Sequence, residues 1–233
     1  MKFEAFVNEI IPRVSEVASF RFPRPADLDY KPGQYMLVTV ESGGKELIHP
    51  FSFSSSPTEK DFIEFTKKFT ASEYSTTLKA FKLGDWARID APYGVFTFMG
   101  EHQKIALLAG GIVITPFHSI CKYCSDIHLK TDVVLLYGCR NESEIVFKEE
   151  LEKMMEQNPN LKVIFVLNEA SSEWKGNVGF ITADLLKNEV PDFKDRVFYA
   201  CGPPIMVKTM GKVIADLGLP NTQLKFESLA GHT

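Results

Sequence analysis

Two different patterns of apolar and polar positions meet near residue 100 of the chain. Before it, short apolar segments alternate with polar residues, as half-buried antiparallel strands do, and turns rich in Gly and Pro separate them. A short helix ending near Leu78 interrupts the series. The six predicted strands cover residues 3–11, 14–22, 35–40, 50–54, 62–69 and 86–89. This pattern predicts an antiparallel six-stranded β-barrel over residues 1–100.

From residue 101 to residue 233 the apolar runs become continuous, and amphipathic stretches lie between them. Continuous apolar strands that alternate with helices indicate a parallel sheet covered on both faces. The predicted strands are 105–109, 133–137, 163–167 and 197–200, and the predicted helices are 116–129, 143–157, 182–188 and 204–217. The second part of this two-domain chain is therefore expected to be an α/β domain.

Composition narrows the classes of function. The chain is 45% hydrophobic and 24% charged, with a net charge of −4, and it has no dense basic run, so neither nucleic acid nor an anionic membrane is an expected partner. The longest apolar segment, Ile105–Phe117, is too short for a membrane span. Four cysteines and no signal-peptide pattern favour a cytoplasmic location. Cys121 and Cys124 lack a second pair at ligand spacing, so no metal site is predicted.

Three segments carry groups that suit phosphate. Residues 49–57 contain four serines, and Thr66–Lys68 precede Thr70–Glu73, which has the form of a capping box at a helix start. In the second part, Gly110 and Gly111 lie between a strand and a helix, where backbone amides can approach a diphosphate. An ordinary capped helix beside solvated lysines, and a tight strand-to-helix turn, explain the same patterns without a ligand.

These segments resemble, in order, the motifs of the ferredoxin–NADP reductase superfamily. Residues 31–35 resemble its Pro-Gly-Gln-aromatic turn, 49–55 its Arg-x-Tyr-Ser-x-x-Ser flavin motif, 66–78 its basic segment and serine helix, and 91–96 its Pro-x-Gly-x-Phe segment. Residues 110–116 resemble its Gly-Gly-x-Gly-x-Thr-Pro loop, 200–206 its Cys-Gly-Pro-Pro-x-Met motif and 224–229 its terminal strand. The resemblance covers nearly the whole chain and includes no iron–sulfur domain.

The resemblance implies an NAD(P)H-dependent flavoprotein reductase that holds FAD, with FMN as the other possibility, and binds a nicotinamide dinucleotide. Glu169 stands where an acid would repel a 2′-phosphate, which favours NADH over NADPH. Electrons would pass to an external acceptor, namely a ferredoxin-like or oxygenase partner, a quinone or a free flavin.

The same resemblance implies roles for individual residues. Ser52 would hydrogen-bond the flavin atom that accepts hydride, Phe51 would stack on the flavin ring, Cys201 would orient the nicotinamide and Glu227 would approach the flavin. The other implied flavin-binding residues are His49, Pro50, Thr66, Lys67, Lys68, Tyr74, Ser75 and Thr76. Those implied for the dinucleotide are Gly110, Gly111, Thr115, Pro116, Arg140, Glu169, Gly202, Pro203 and Met206; a solvated charge is the alternative for Arg140.

Four positions depart from the motifs. His49 replaces an Arg, Ser72 a Gly, Val113 the third glycine of the nucleotide loop and Leu229 an aromatic residue. We expect His49 to weaken flavin binding, because a histidine is mostly neutral at pH 7. We expect Val113 to add bulk beside the path of the dinucleotide. These departures leave open an alternative function, a non-catalytic flavin-binding or regulatory subunit with impaired nucleotide binding.

Overall fold

A computed structural model describes residues 1–202 and 204–228, without the side chain of Ser228. The first part contains two antiparallel sheets, with strand orders β1-β7-β4-β5 and β2-β3-β6. The elements are β1 (Lys2–Phe6), β2 (Glu9–Val14), β3 (Val17–Pro23), β4 (Tyr35–Ser42), β5 (Lys45–Ser52), β6 (Phe62–Lys68), α1 (Glu73–Lys79) and β7 (Trp86–Tyr93). The antiparallel class is as expected, but the described strands number seven instead of six.

The extra strand arises because the first apolar segment divides at Val7 and Asn8. The Val7 N–H donates to the Asp85 carbonyl beside β7, whereas the Asn8 N–H donates to the Arg21 carbonyl of β3, at 2.9 and 3.1 Å. The chain therefore changes sheets between these two residues. Apolar periodicity runs through such a switch of partner without a break, and for that reason the sequence pattern indicated one strand.

Stacked aromatic rings fill the space between the two sheets. The ring centroid of Phe65 lies 5.2 Å from that of Phe20 and 4.4 Å from that of Phe51, and all three side chains are buried. Burying one such side chain stabilises the fold by about 1.5–3 kcal/mol. This aromatic core holds β3, β5 and β6 together and fixes the carboxyl end of β5.

The second part is a six-stranded parallel sheet of order β11-β10-β9-β8-β12-β13. Its strands are β8 (Lys104–Gly110), β9 (Asp132–Cys139), β10 (Leu161–Leu167), β11 (Asn177–Val178), β12 (Val197–Gly202) and β13 (Leu224–Ser228). Its helices are α2 (Ile114–Asp126), α3 (Lys148–Gln157), α4 (Ala183–Glu189) and α5 (Pro204–Asp216). The predicted α/β class is confirmed; β11, with two residues, is too short to produce a periodic pattern.

Alternate residues of each buried strand face opposite layers of helices. Leu107 and Leu135 join the core under α2 and α3, whereas Leu108 and Leu136 join the core under α4 and α5. Helix α3 begins at Lys148, not near residue 143, because Phe147 has a φ of 61° and cannot continue a right-handed helix. The two layers place the carboxyl ends of all six strands along one open edge.

An apolar seam joins the two parts of the chain. Beyond β7, Phe96 turns toward the second core, where its ring centroid lies 5.9 Å from that of Phe117 and 5.6 Å from that of Tyr199. Phe98 is fully buried in the same core. In the described part of the chain, no helix has the length and apolar character that crossing a membrane requires.

Candidate active site

A pocket opens where the ends of β5 and β6 meet the turn that follows β8. Its lining residues are Phe51, Ser52, Thr66, Lys67, Lys68, Thr70, Ile112, Val113 and Thr115. Ser52 is only 6% exposed, and its Oγ has no hydrogen-bond partner among the described residues. A buried hydroxyl without a partner costs about 1–3 kcal/mol, so a ligand that supplies one binds favourably here.

The two lysines of the pocket are in different states. Lys67 is 7% exposed, burial lowers the pKa of its ammonium group, and it forms no ion pair with any described residue. Lys68 is half exposed, and its Nζ lies 3.2 Å from Glu144 Oε2 in the other domain. Lys67 is therefore the cation that the fold leaves available for an anionic group in the pocket.

Three of the predicted flavin-binding side chains are engaged inside the barrel. The Tyr74 hydroxyl donates to the Val38 carbonyl at 3.0 Å, and the Ser75 Oγ accepts from the Thr70 N–H at 2.7 Å. Phe51 is 2% exposed and stacks on Phe65 while forming one wall of the pocket. The Tyr74 and Ser75 hydroxyls are therefore engaged with backbone groups of the barrel, and the expectation that these residues bind a flavin stays a prediction.

Helix α1 is capped by Ser72, not by Thr70 as the sequence pattern indicated. The Ser72 Oγ accepts from the Ser75 N–H at 3.2 Å, and the helix begins at Glu73. The Thr76 Oγ1 donates to the Ser72 carbonyl at 3.1 Å. The hydroxyl that departs from the family motif therefore satisfies a backbone donor of the helix start.

His49 and Pro50 lie behind the pocket wall on β5. The His49 ring centroid is 4.8 Å from that of Phe51 and 5.3 Å from that of Tyr74. Its Nδ1 lies 2.9 Å from the Pro50 carbonyl oxygen. His49 therefore packs among aromatic rings, while the cationic groups that line the pocket come from Lys67 and Lys68 on β6.

A second set of predicted residues meets at the carboxyl ends of β12 and β13. Cys201 is fully buried, and burial, reinforced by the nearby Glu227 carboxyl group, raises the pKa of its thiol well above the ordinary value. Burial also raises the pKa of the Glu227 carboxyl group to about 7. Its Oε2 is buried without a hydrogen-bond partner among the described residues. Cys201 is therefore a neutral thiol, suited to contact a ring and unsuited to act as a nucleophile.

Glu227 connects this edge to the flavin side of the junction. A Cβ placed on Gly94 would lie 3.4 Å from Glu227 Oε1 and 3.0 Å from the Tyr35 ring, so the three residues are close together. Tyr35 is paired with Ser52 across β4 and β5. The fold thus brings Ser52, Glu227 and Cys201 to one junction, although their sequence positions are far apart.

The turn after β8 has the form that a diphosphate needs. A Cβ on Gly110 would lie 3.0 Å from Met206 Sδ, and one on Gly202 would lie 2.7 Å from the same sulfur. Gly111 has a φ of +54°, and the space beside its Cα is open, so its backbone is accessible. Thr115 and Pro116 lie in the first turn of α2, where the missing N–H of proline leaves no donor unpaired. Pro203 and Leu229 lie outside the described residues.

Val113 is buried at the end of the turn that follows β8. Its side chain is 4% exposed, packs in the core of the second domain and contributes to the wall of the pocket. The expectation that it adds bulk beside the dinucleotide stays a prediction. Tyr137, which sequence reasoning missed, supports this turn: its hydroxyl donates to the Gly111 carbonyl at 3.0 Å and accepts from the Val146 N–H at 3.3 Å. A tyrosine next to Gly138 at the end of a buried strand was the available signal.

Arg140 and Glu169 lie at the ends of β9 and β10. Arg140 Nε donates to Glu169 Oε1 at 3.0 Å, and both side chains are more than 60% exposed, at 65% and 61%. The Glu169 N–H also donates to the Arg140 carbonyl at 2.7 Å. The two predicted dinucleotide ligands therefore contact each other through one carboxylate oxygen of Glu169.

The remaining thiols are structural. Cys121 and Cys124 are buried and free, and burial raises the pKa of the Cys124 thiol to about 12. Across residues 1–202 and 204–228, no group of three or more His, Cys, Asp or Glu side chains is arranged to hold a metal ion.

Comparison with known proteins places these features in a family. The oxidoreductase FAD-binding domain family matches residues 6–98, and the oxidoreductase NAD-binding domain family matches residues 107–212. NADH-cytochrome b5 reductase 1 of Scheffersomyces stipitis is 31% identical over 226 residues, which span 93% of this chain and 78% of that protein.

Two solved structures share the fold. The cytochrome b5 reductase domain of Ulva prolifera nitrate reductase superposes with a TM-score of 0.86 at 21% identity, over 97% of each chain. A ferredoxin NADP+ reductase from Neisseria gonorrhoeae superposes with a TM-score of 0.83 at 20% identity, over 97% of this chain and 98% of that one. At these identities the likeness concerns the fold.

This chain is therefore a flavin- and nicotinamide-dependent oxidoreductase, as the pocket, the two domains and the sequence matches together indicate. The chain belongs to the family of FAD- and NAD-binding oxidoreductases that includes the NADH-cytochrome b5 reductases. It is a flavoprotein reductase, and its residues fit both groups: the pocket is lined by a buried hydroxyl and an ammonium group that have no partner among the described residues, and the glycine turn beside it is open.

Proposed function

We propose that this enzyme oxidises NADH and delivers the electrons to a separate one-electron carrier protein, of the cytochrome b5 or ferredoxin type. The proposal rests on the polar groups that meet at the junction between the two domains. The unpartnered Oγ of Ser52 and the unpartnered Oε2 of Glu227 belong to different domains, and Tyr35 links their surroundings. FAD, when bound, supplies the ability to take up two electrons from NADH and to release them singly.

On this proposal each residue of the pocket has a separate role in binding. Lys67 holds a phosphate group, because a half-desolvated ammonium group gains a charge-assisted hydrogen bond there. Ser52 provides a hydroxyl to the ring system at the carboxyl end of β5. Cys201, with its neutral thiol, orients the nicotinamide by contact, and near pH 7 Glu227 holds or releases a proton at Oε2.

The preference for NADH is supported by Glu169. Its carboxylate lies at the carboxyl end of β10, can accept a hydrogen bond from a ribose 2′-hydroxyl and repels a 2′-phosphate. Arg140, the neighbouring cation, is already paired with this carboxylate. The name of the relative in Scheffersomyces stipitis, NADH-cytochrome b5 reductase 1, agrees with this preference.

The same name supports a haem protein as the acceptor. An exposed rim adjoins the junction: Val95 is 97% exposed, Tyr93 is 37% exposed, and both flank Gly94, which lies against Glu227. An apolar rim beside a redox pocket gives a carrier protein a surface on which to approach.

Steady-state turnover with three acceptors tests the proposal. FAD-loaded enzyme with NADH is combined separately with a cytochrome b5, a ferredoxin and free FMN. We expect reduction of a protein carrier at a rate that saturates with its concentration. Saturable turnover with free FMN alone would contradict the carrier assignment, and faster turnover with NADPH than with NADH would contradict the role of Glu169.

A further inference from the structure

His118 lies on α2 at the contact between the two domains, and the sequence gives it no role. It is 4% exposed, and its ring faces an acceptor on each side. Nδ1 lies 2.8 Å from the Ser54 carbonyl oxygen, and Nε2 lies 2.9 Å from Glu150 Oε2. A carbonyl oxygen can only accept a hydrogen bond, and so can an ionised carboxylate. The Nδ1–H therefore donates to the Ser54 carbonyl, whereas Nε2 lies beside the Glu150 carboxylate without a hydrogen bond of good geometry.

The carboxylate that faces His118 is kept ionised. Burial alone would raise the pKa of Glu150, but hydrogen bonds and charge interactions with His118 and Arg13 outweigh burial and lower it to about 2. Arg13 Nη1 is also in direct contact with Glu150 Oε1. Glu150 therefore stays an acceptor throughout the neutral pH range and cannot donate a proton back to the ring.

Phe147 packs against the His118 ring from a second direction. Its ring centroid lies 4.0 Å from that of His118, nearly parallel at 22°, and the Arg13 guanidinium lies 4.6 Å from it. Contacts of this kind between a cation and an aromatic face are attractive. Phe147 has a φ of 61°, a backbone conformation that is unfavourable for a residue with a side chain. The contacts with His118 and Arg13 offset that cost.

His118 forms a hydrogen bond with the segment that contains Ser52. Ser54 lies two residues beyond Ser52, and its N–H and Oγ donate to the backbone carbonyl and the Oε1 of Glu64, at 2.8 and 2.7 Å. Its one remaining polar group, the carbonyl, receives the proton of His118. The neighbouring Ser119 Oγ donates to the Ser55 carbonyl at 2.7 Å. Helix α2 of the dinucleotide domain thus fixes the barrel segment through two consecutive carbonyls.

The charges around His118 come from every element packed against it. A polar cavity of about 230 Å³ adjoins the ring between α2, α3 and the barrel. The charged groups that line it or contact Glu150 are Arg13, Arg21, Glu59, Glu64, Lys122, Asp126, Glu150 and Lys153. Glu64 is held by Arg13 and Arg21, and Lys122 is held by Asp126. The carboxylate in contact with the ring is that of Glu150.

We propose that His118 is a positioning residue, whose hydrogen bond to the Ser54 carbonyl and close contact with Glu150 set the dinucleotide domain against the Ser52 segment of the barrel. This inference rests on the proposed function, since its consequence is the alignment of the nicotinamide side with the flavin side. When an apolar side chain replaces the ring, both contacts are lost. The alignment loosens, while the pocket that holds the flavin phosphate keeps its residues.

Two measurements on the FAD-loaded full chain test this inference. Ring ¹⁵N NMR, with His118 assigned from the His118→Asn variant, is expected to show a proton on Nδ1, the nitrogen that faces the Ser54 carbonyl. Anaerobic stopped-flow mixing over a range of NADH concentrations separates the limiting rate of flavin reduction from the apparent affinity for NADH. His118→Asn retains a donor near Ser54, so its limiting rate should stay close to that of the wild type.

His118→Leu removes both contacts, and we expect flavin reduction to slow by about tenfold or more at every pH while FAD affinity changes little, because misalignment acts on the reaction geometry. His128→Asn is the matched control, since His128 is exposed and its φ of 53° is tolerated by Asn.

The possible outcomes separate this inference from the proposed function. A wild-type ring without a proton on Nδ1 overturns the inference, even if every variant fails to fold. A rate and pH profile for His118→Leu equal to those of the wild type overturn it as well. Failure of NADH to reduce the wild-type flavin at any pH counts against the proposed function and leaves the NMR result to decide the protonation of His118.

Discussion

Cys201 and Glu227 are paired in register on the adjacent parallel strands β12 and β13. One contributes a neutral buried thiol and the other a buried carboxyl group whose pKa is raised to about 7 by desolvation. Side chains at equal register on neighbouring strands point to the same face of a sheet. The pair therefore presents one apolar and one proton-carrying group at the same edge of the junction.

Glu227→Gln should change how stability depends on pH. The folded-state pKa of about 7 lies above the ordinary value of 4.5, so the native protein binds the proton more tightly than the unfolded chain does. The associated stabilisation is complete below about pH 4.5 and is lost as pH rises through 7. Urea unfolding of flavin-free wild type should lose about 1–2 kcal/mol relative to Glu227→Gln between pH 5 and pH 8, less than the full shift because the carboxyl group is partly solvated. Parallel pH profiles for the two proteins would show that this carboxyl group titrates normally.

Ser52→Ala removes the unpartnered hydroxyl of the pocket. We expect flavin to remain bound and its reduction by NADH to slow by about tenfold, since one hydrogen bond near the reacting ring is lost. Ser56→Ala is the matched control: Ser56 is also buried, but its Oγ accepts from Thr58 Oγ1 at 2.7 Å, outside the pocket. Stopped-flow absorbance at the flavin band measures both. Equal rates in Ser52→Ala and wild type would remove Ser52 from the reaction site.

Lys67→Met should weaken FAD binding by about ten- to a hundredfold, the loss of one charge-assisted phosphate contact. The same substitution should stabilise the flavin-free protein, because Lys67 is buried without an ion-pair partner among the described residues. Lys45→Met is the control, since Lys45 is exposed at the start of β5 and does not line the pocket. Flavin titration by fluorescence and thermal unfolding measure the two effects. Weaker binding together with lower flavin-free stability would mean that Lys67 supports the fold instead of the ligand.

Glu169→Ser should shift the preference toward NADPH. The substitution removes the charge that repels a 2′-phosphate and releases Arg140 from its 3.0 Å ion pair. We expect kcat/KM for NADPH to rise relative to NADH by about tenfold or more, mainly through KM, since the contact is remote from the reacting atoms. Glu173→Ser, exposed in the same loop, should leave the ratio unchanged. An unchanged ratio in Glu169→Ser would show that this carboxylate does not face the ribose.

The sequence contained enough information for the fold class and for the approximate location of the site. The switch from alternating to continuous apolar runs corresponds to the change from antiparallel to parallel sheets, because each pattern follows from how many faces of a strand are buried. Motif order placed Ser52, Lys67 and Cys201 near a common junction. The division of residues 3–11 into two strands was not predictable, since it depends on a change of hydrogen-bond partner between sheets.

The direction and pairing of individual side chains were less accessible. Val113 points into the core and Ser75 bonds to Thr70, and neither fact follows from a position in a motif. The Arg140–Glu169 pair joins residues from two loops whose distance is set by β9 and β10. The contacts of His118 were equally unpredictable. The sequence shows a polar residue on a buried helix face, and only the packing of α2 against the barrel brings Ser54 and Glu150 next to its ring.

Anaerobic mixing of the FAD-loaded chain with NADH is the most direct test that electrons enter at this junction. The account predicts that the oxidised flavin band is lost in a single saturable phase, faster with NADH than with NADPH, and more slowly in Ser52→Ala. Flavin that is bound and stays oxidised in the presence of excess NADH and of excess NADPH would contradict it.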